Sequence, residues 1–144
     1  MEKEIRNKLI DTAIEQLQYS YTPYSNFKVG AALLAKNGQI YTGCNIENAG
    51  YTATNCAERT AFFKAVSEGV KEFQAICVVG GKEGVLTEYA APCGVCRQVM
   101  MEFCDPKQFR IILGTKDGVA QVYTLEELLP CGFGPEIKRS KNNG

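Results

Sequence analysis

The chain contains no histidine and no tryptophan, and its net charge is zero because 16 Lys and Arg residues balance 16 Asp and Glu residues. The missing histidine excludes an imidazole as catalytic base or metal ligand. The zero net charge and the absence of a basic stretch interleaved with aromatic residues argue against nucleic acid or an anionic membrane surface as a partner. No apolar run approaches the roughly 20 residues that cross a bilayer.

The N-terminal stretch is charged and lacks the apolar core of a signal peptide, so we expect a cytoplasmic protein. The seven cysteines are then better explained by metal binding or catalysis than by disulfides. A length of 144 residues suits one domain. We expect that domain to span residues 1–136 and residues 137–144 to form a flexible tail.

Hydrophobic periodicity predicts an α/β protein. Residues 3–19 have the 3.6-residue period of an amphipathic helix, and residues 27–35 and 40–46 alternate on either side of an Asn-Gly turn, as in a β-hairpin. The remaining predicted elements are helices at 57–68 and 93–104, strands at 73–79, 109–113 and 119–123, and a short helix that begins with a capping box at Thr124 and Glu127.

This order of elements predicts a three-layer α/β/α sandwich with a mixed sheet of about five strands. The hairpin is expected to be antiparallel at one side of the sheet. The later strands alternate with helices, so parallel pairing is expected among them.

Three cysteines and one glutamate occupy two short segments, TNCAERT at 54–60 and APCGVCR at 91–97. Cys93 and Cys96 are three residues apart, so on a helix they would share one face and could bind one metal ion. Pro92 is expected at the first helical position, and Asn55 is expected to cap the helix that contains Cys56. Both helix starts would favour thiolates through the helix dipole.

Three thiolates form a strong partial ligand set for zinc. A catalytic zinc site has three protein ligands and leaves the fourth position to water, and Glu58, two residues after Cys56, could then act as general acid and base. The spacing also allows a structural zinc site closed by Cys44 or Cys104, or a thioredoxin-like redox pair.

Five stretches together resemble the small zinc-dependent cytidine deaminases of the cytidine/deoxycytidylate deaminase superfamily. They are YSNFKVGAA at 24–32, TGCNIEN at 42–48, CAERTA at 56–61, PCGVCRQ at 92–98 and LLPCGFGP at 128–135. They occur in order over nearly the whole chain, and Cys56 makes it similar to the three-cysteine form of the family. The resemblance therefore favours the catalytic zinc site over the two alternatives.

The resemblance implies one zinc ion per chain, held by Cys56, Cys93 and Cys96 with water as the fourth ligand. Hydroxide derived from that water would attack C4 of cytosine while Glu58 transfers the protons. Arg59 would donate hydrogen bonds to the ligand thiolates and so offset their negative charge.

The resemblance also implies a nucleoside pocket completed by the neighbouring subunits of a homotetramer. Asn45 and Glu47 lie two residues apart near a strand end, so their side chains would share one face and could bind the ribose hydroxyls. The other implied substrate contacts are Phe27, the backbone of Ala57, and Ala49, Tyr51 and Phe133.

The expected function is hydrolytic deamination of cytidine and 2′-deoxycytidine to uridine and 2′-deoxyuridine, with release of ammonia, in pyrimidine salvage. The alternative is a deaminase of another aminopyrimidine nucleoside, such as a blasticidin-type antibiotic. Residues 45–48 favour an ordinary ribose. Residues 80–91 have no feature that we can connect to chemistry, and they end in Ala90 and Ala91 where many relatives have a serine.

Overall fold

The computed structural model describes residues 1–118 and 120–135. Along these residues the α-helices and strands are α1 (Lys3–Glu15), β1 (Phe27–Ala35), β2 (Ile40–Cys44), α2 (Ala57–Ser67), β3 (Phe73–Lys82), α3 (Gly94–Phe103), β4 (Arg110–Gly114), β5 (Ala120–Thr124) and α4 (Leu125–Leu128). Two short 3₁₀ helices lie at Gln16–Tyr19, where the helix predicted at 3–19 ends, and at Tyr51–Ala53. None of these helices has the length and apolar character needed to cross a bilayer. The expected tail at 137–144 lies outside the described residues.

Within the described residues, five strands form one mixed sheet in the order β2-β1-β3-β4-β5. The predicted hairpin is confirmed, with β1 antiparallel to both β2 and β3. The parallel pairing expected for the later strands is found between β3 and β4, whereas β5 is antiparallel to β4. Only a short turn separates β4 from β5, and a parallel connection would need a crossover of about a dozen residues or more.

The predicted three-layer arrangement is confirmed, because helices pack on both faces of the sheet. One hydrophobic cluster joins α1 to the first face, and its buried members include Leu9, Ile10, Ala13, Ala32, Cys77 and Ile112. A second cluster joins α2 and α3 to the opposite face, and it includes Ala61, Phe62, Met100, Leu33, Ile76 and Ile111. Alternate residues of each strand therefore enter different layers of the core.

Helix α2 contacts β2 directly through Gly43. A Cβ atom at this position would overlap the carbonyl oxygen of Ala57 and would lie 2.7 Å from the backbone nitrogen of Ala61. Only glycine therefore allows the helix backbone to approach the strand this closely. Because Cys56 and Glu58 lie at the start of the same helix, this contact also sets their distance from the sheet.

We predict that Gly43→Ala lowers the free energy of unfolding by about 1–3 kcal/mol, since the added methyl group overpacks the α2–β2 contact. Urea unfolding followed by circular dichroism would measure the loss. Gly94→Ala is the matched control, because a Cβ built at that position has no atom within 4 Å apart from its chain neighbours and the backbone of its own helix. Equal stability of the two variants would contradict the packing argument.

Candidate active site

The first turn of α2 positions Cys56 and Glu58. Cys56 is the N-cap residue, with an extended backbone (φ −76°, ψ 156°), and the helix begins at Ala57. The expectation that Asn55 caps this helix is wrong, because its side-chain amide donates a hydrogen bond to Thr60 Oγ1 at 3.0 Å. An N-cap side chain normally accepts a hydrogen bond from the helix backbone. In the described structure the Cys56 thiol accepts no hydrogen bond from the helix backbone, and it lies beside two other thiols.

Helix α3 begins in the same way. Cys93 is its N-cap residue (φ −69°, ψ 167°), and the helix begins at Gly94. Pro92 precedes the cap, so the expectation that it occupies the first helical position is wrong. Its fixed φ suits the extended approach to the cap as well as it suits a first helical turn. Cys96 follows in that first turn, on the same face as Cys93.

The three sulfur atoms form a compact cluster. The Cys56 and Cys93 Sγ atoms are 3.7 Å apart and the Cys93 and Cys96 Sγ atoms are 3.4 Å apart, with all three pairs within 4.8 Å. Sulfur ligands at about 2.3 Å from one tetrahedral zinc ion lie about 3.8 Å from each other. The donor set and its spacing therefore fit one zinc ion per chain, with a fourth position left for a non-protein ligand.

The metal-binding group found in residues 1–118 and 120–135 does not include the two cysteines considered as a fourth ligand. Cys44 is buried at the end of β2, and Cys104 is buried in the core formed by α2 and α3. A closed four-cysteine site is therefore not supported. Three converging thiols also fit a metal ion better than they fit a two-cysteine redox pair.

Arg59 contacts the cluster from the protein side. Its Nη2 atom donates a hydrogen bond to Cys56 Sγ at 3.3 Å. The pKa of the Cys56 thiol is lowered, mainly by a hydrogen bond from Cys96 and further by Arg59, and the Arg59 contact in turn raises the pKa of the guanidinium. The cluster therefore favours the ionised form of Cys56, and the positive charge of Arg59 offsets part of the thiolate charge.

Glu58 is the buried carboxyl group of the site. It follows Cys56 by two residues in the first turn of α2, and its side chain is 4% exposed. Burial raises the pKa of this carboxyl group to about 7. A glutamate removed from water in this way can exist in both protonation states near neutral pH, which is the property of a general acid and base.

A cavity of about 250 Å³ opens onto the cluster. It is small compared with the roughly 300–1,000 Å³ of typical ligand pockets. Seven residues expected to form the site lie on its wall, namely Phe27, Asn45, Glu47, Cys56, Ala57, Glu58 and Cys93. Two other residues of the site are not part of the wall: Cys96, the third member of the cluster, and Arg59, which donates a hydrogen bond to Cys56.

Asn45 has a fixed orientation on this wall. Its Oδ1 atom accepts a hydrogen bond from the backbone nitrogen of Val29 at 2.9 Å, and its Nδ2 atom donates to the Phe27 carbonyl at 2.8 Å. These contacts hold the side chain against β1 and define which end of the amide is nitrogen. One N–H and one oxygen lone pair remain for a ligand.

Glu47 is held by the loop that precedes β1. Its Oε1 atom accepts hydrogen bonds from the backbone nitrogens of Tyr24 at 3.0 Å and Ser25 at 3.1 Å, and its Oε2 atom accepts one from the Ser25 hydroxyl. The Ser25 hydroxyl bond is the main cause of the lowered pKa of Glu47. The wall therefore presents an ionised, preoriented carboxylate beside the Asn45 amide.

Three expected substrate contacts lie elsewhere. Ala49, Tyr51 and Phe133 are not on the cavity wall. The Tyr51 side chain is 83% exposed and the Phe133 side chain is 72% exposed, so both aromatic rings are open to contact from outside the chain.

Ala90 and Ala91 are wall residues that the sequence did not indicate. They belong to the 80–91 segment, to which we could assign no chemistry. A Cβ atom at Gly80 would lie 3.0 Å from the Ala90 Cβ, so the segment returns directly onto β3. The one feature of the sequence that could have indicated their position is the pair of small residues directly before Pro92. The other wall residues that were not expected are Val29, Thr54, Asn55 and Val78.

The fold and the site together fit a zinc enzyme of the α/β/α class, because three clustered thiols could hold one ion and a buried glutamate lies on the wall of the same cavity. Residues 3–112 match the family described as the cytidine and deoxycytidylate deaminase zinc-binding region. The chain belongs to this family.

Named relatives agree with this assignment. The chain is 50% identical to the cytidine deaminase of Sporosarcina psychrophila over 129 residues, which is 90% of this chain and 91% of the relative. It is 50% identical to the cytidine deaminase of Halalkalibacterium halodurans over 131 residues, covering 91% and 96%. The crystal structure of cytidine deaminase from Burkholderia pseudomallei superposes with a TM-score of 0.79 at 45% identity, covering 88% of this chain and 97% of that one.

We predict that Cys96→Ser lowers the zinc content well below one ion per chain, because it removes one of three thiolate ligands. Cys44→Ser is the matched control and should retain zinc, since Cys44 lies outside the cluster. Elemental analysis of the purified proteins would measure both. Loss of zinc from the Cys44 variant would instead indicate a closed four-cysteine site.

Proposed function

We propose that this protein is a zinc-dependent cytidine deaminase of pyrimidine salvage, which converts cytidine and 2′-deoxycytidine to uridine and 2′-deoxyuridine with release of ammonia. The observation that carries the proposal is the cavity itself. Its wall combines two of the three clustered thiols with the buried Glu58 carboxyl group and with Asn45 and Glu47. The named relatives at 50% identity support the choice of cytidine. We take residues 1–136 as the catalytic domain and the cytoplasm as its location.

Glu58 transfers protons in this proposal. When bound, zinc supplies the Lewis acidity that makes hydroxide available from water near neutral pH. The Glu58 carboxylate accepts a proton from the attacking water as oxygen adds to C4, and it delivers that proton to N3. It then transfers the second water proton to the exocyclic amino group, which leaves as ammonia. The water oxygen stays on C4, so atoms and charge balance.

Asn45 and Glu47 bind the sugar. The hydrogen bonds from the 24–25 backbone and from β1 hold both side chains in place before a ligand arrives. An ionised carboxylate accepts hydrogen bonds from hydroxyl groups, and the remaining amide N–H and lone pair can serve as donor and acceptor. Phe27 and the Ala57 backbone complete the wall on which the pyrimidine lies.

Neighbouring subunits close the pocket in this proposal. The cavity is small and open, and the exposed Tyr51 and Phe133 side chains lie outside its wall. We assign these aromatic rings, together with Ala49, to the pockets of adjacent subunits in a homotetramer. There Phe133 would stack near the pyrimidine, since a flat ring suits a flat base.

We predict that Glu58→Gln lowers kcat for cytidine by at least about 100-fold while zinc remains bound, because glutamine cannot exchange a proton. Loss of cytidine absorbance and elemental analysis would measure rate and metal content. Glu68→Gln makes the same change at the exposed C-terminal end of α2 and should leave both unchanged. Wild-type turnover by the Glu58 variant would rule out the proposed proton transfer, and absence of turnover in the wild-type protein would rule out cytidine as substrate.

We predict that Arg59→Gln lowers kcat by about 10–100-fold and raises KM much less, because the thiolates then keep their full negative charge and weaken the Lewis acidity of zinc. Steady-state kinetics with cytidine would separate the two parameters. Arg59→Lys, which keeps the charge on a shorter and differently shaped group, should fall between the two proteins. An unchanged kcat with a raised KM would contradict a role in charge compensation.

A further inference from the structure

Arg97 makes contacts that the catalytic proposal does not use. It lies in α3, four residues after Cys93, and is partly buried. Its side chain donates hydrogen bonds to two carbonyl groups, from Nε to Pro92 at 2.7 Å and from Nη1 to Leu128 at 2.6 Å. Its backbone nitrogen donates a third, to the Cys93 carbonyl at 3.0 Å.

These bonds hold the backbone on both sides of the Cys93 Cα atom. The Pro92 carbonyl belongs to the peptide that precedes Cys93, and the Cys93 carbonyl belongs to the peptide that follows it. Because each peptide is planar, fixing both carbonyls fixes the φ and ψ angles between them. The Pro92 carbonyl precedes the helix, so it lies outside the repeating hydrogen bonds of the helix backbone. The side chain of Arg97 therefore satisfies it.

The position of the Cys93 sulfur depends on this backbone geometry. A zinc site is satisfied when its ligand distances lie within about 0.2 Å of their preferred values. Cys93 is the exposed member of the cluster, whereas Cys96 is buried, so packing holds Cys93 less firmly. Arg97 fixes the peptides on both sides of Cys93, and this would restrict the position of the Cys93 sulfur.

The same helix also fastens the C-terminal arm, which we define as residues 128–135. Arg97 contacts its first residue, and the Gln98 side chain donates a hydrogen bond to the Phe133 carbonyl at 3.0 Å. Gly134 packs so closely on α3 that a Cβ atom there would lie 2.7 Å from the Met101 carbonyl oxygen. Three positions of α3 thus contact three points along the arm.

We propose that Arg97 is a positioning residue that holds the ligand Cys93 and the C-terminal arm in one fixed arrangement. The guanidinium group suits this role because its planar fork presents several N–H donors in set directions, so it can reach two carbonyls at once. The inference rests on zinc binding at the three-thiol cluster. It does not depend on which nucleoside is the substrate.

The other ligand helix has a comparable device. The Cys56 carbonyl accepts a hydrogen bond from the backbone nitrogen of Thr60 at 3.0 Å, and the single O–H of Thr60 is shared between this carbonyl at 3.2 Å and the Cys44 carbonyl at 3.1 Å. Thr60 is also the fourth residue after an N-cap cysteine. In both helices, then, the residue four positions on donates its backbone N–H to the carbonyl of the capping cysteine, and its side chain lies near the backbone there.

We would test the proposal by measuring how fast zinc-loaded protein releases its metal to a chromophoric chelator. Arg97→Gln should release zinc about 10–100-fold faster than wild type, as expected when a group that supports a ligand is removed. Arg97→Lys should give an intermediate rate, because one ammonium group cannot satisfy two separated carbonyls. If the glutamine variant does not fold, the lysine variant carries the test.

Two control variants separate positioning from general stability. Arg110 also donates hydrogen bonds to two backbone carbonyls, those of Lys107 at 3.2 Å and Gln108 at 2.9 Å, but it lies at the start of β4 and outside the cavity wall. Arg110→Gln should leave zinc release unchanged. Gln98→Ala removes a contact to the arm alone, so it should leave zinc release unchanged.

Wild-type zinc release by folded Arg97 variants would overturn the proposal. So would equal acceleration in the Arg97 and Arg110 variants at equal loss of stability in urea. Accelerated release confined to the Arg97 variants, in a protein that does not turn over cytidine, would support the positioning role and reject the proposed substrate.

Discussion

The site depends on the close approach of the first turns of two helices. Cys56 and Cys93 are 37 residues apart in the chain, yet their sulfur atoms are 3.7 Å apart. Sulfur ligands of one zinc ion tolerate little variation around that spacing. The direct contact of α2 with β2 at Gly43 and the close packing of the helices on one face of the sheet therefore have a chemical consequence, because a small shift of either helix would separate the ligands.

Both helices use a cysteine where a capping side chain is usual. An N-cap serine or asparagine typically contributes about 1 kcal/mol of helix stability through its hydrogen bond to the helix backbone. The two cysteines direct their sulfurs at each other instead. Near the helix starts, Arg97 donates a hydrogen bond to the Pro92 carbonyl, and the Thr60 hydroxyl lies 3.2 Å from the Cys56 carbonyl oxygen. The thiols retain the benefit of the positive end of each helix dipole, which favours the ionised form.

Because the chain has no histidine, all three protein ligands of such a site are negatively charged thiolates. Three thiolates exceed the charge of one zinc ion, and excess negative charge weakens the metal as a Lewis acid. Arg59 lies within hydrogen-bonding distance of Cys56 and offsets part of that charge. Glu58, on the neighbouring position of the same helix, is buried at the cavity wall. Adjacent residues of one helical turn thus supply a buried carboxyl group at the cavity wall and a cation at a ligand thiol.

Local patterns in the sequence were enough for most of the elements, whereas the choice of Cys56, Cys93 and Cys96 as one ligand set came from the family resemblance. Alternation predicted β1 with the bounds that the structure has, and the Thr124 and Glu127 spacing predicted a capping box that the structure contains. These features involve residues two to four positions apart, so the sequence displays them directly. The three-residue spacing of Cys93 and Cys96 is also a short-range feature that the sequence displays directly.

The tertiary structure decided what depends on contacts between distant residues. It made β5 antiparallel, and it brought the 80–91 segment onto the cavity wall. It joined Ser25 to Glu47 across 22 residues and Arg97 to Leu128 across 31. A hydrogen bond of that kind depends on the path of the chain between its two partners, and no local period in the sequence records that path. The sequence by itself determined which groups can do the chemistry, and the packing of the sheet and helices decided how those groups are held.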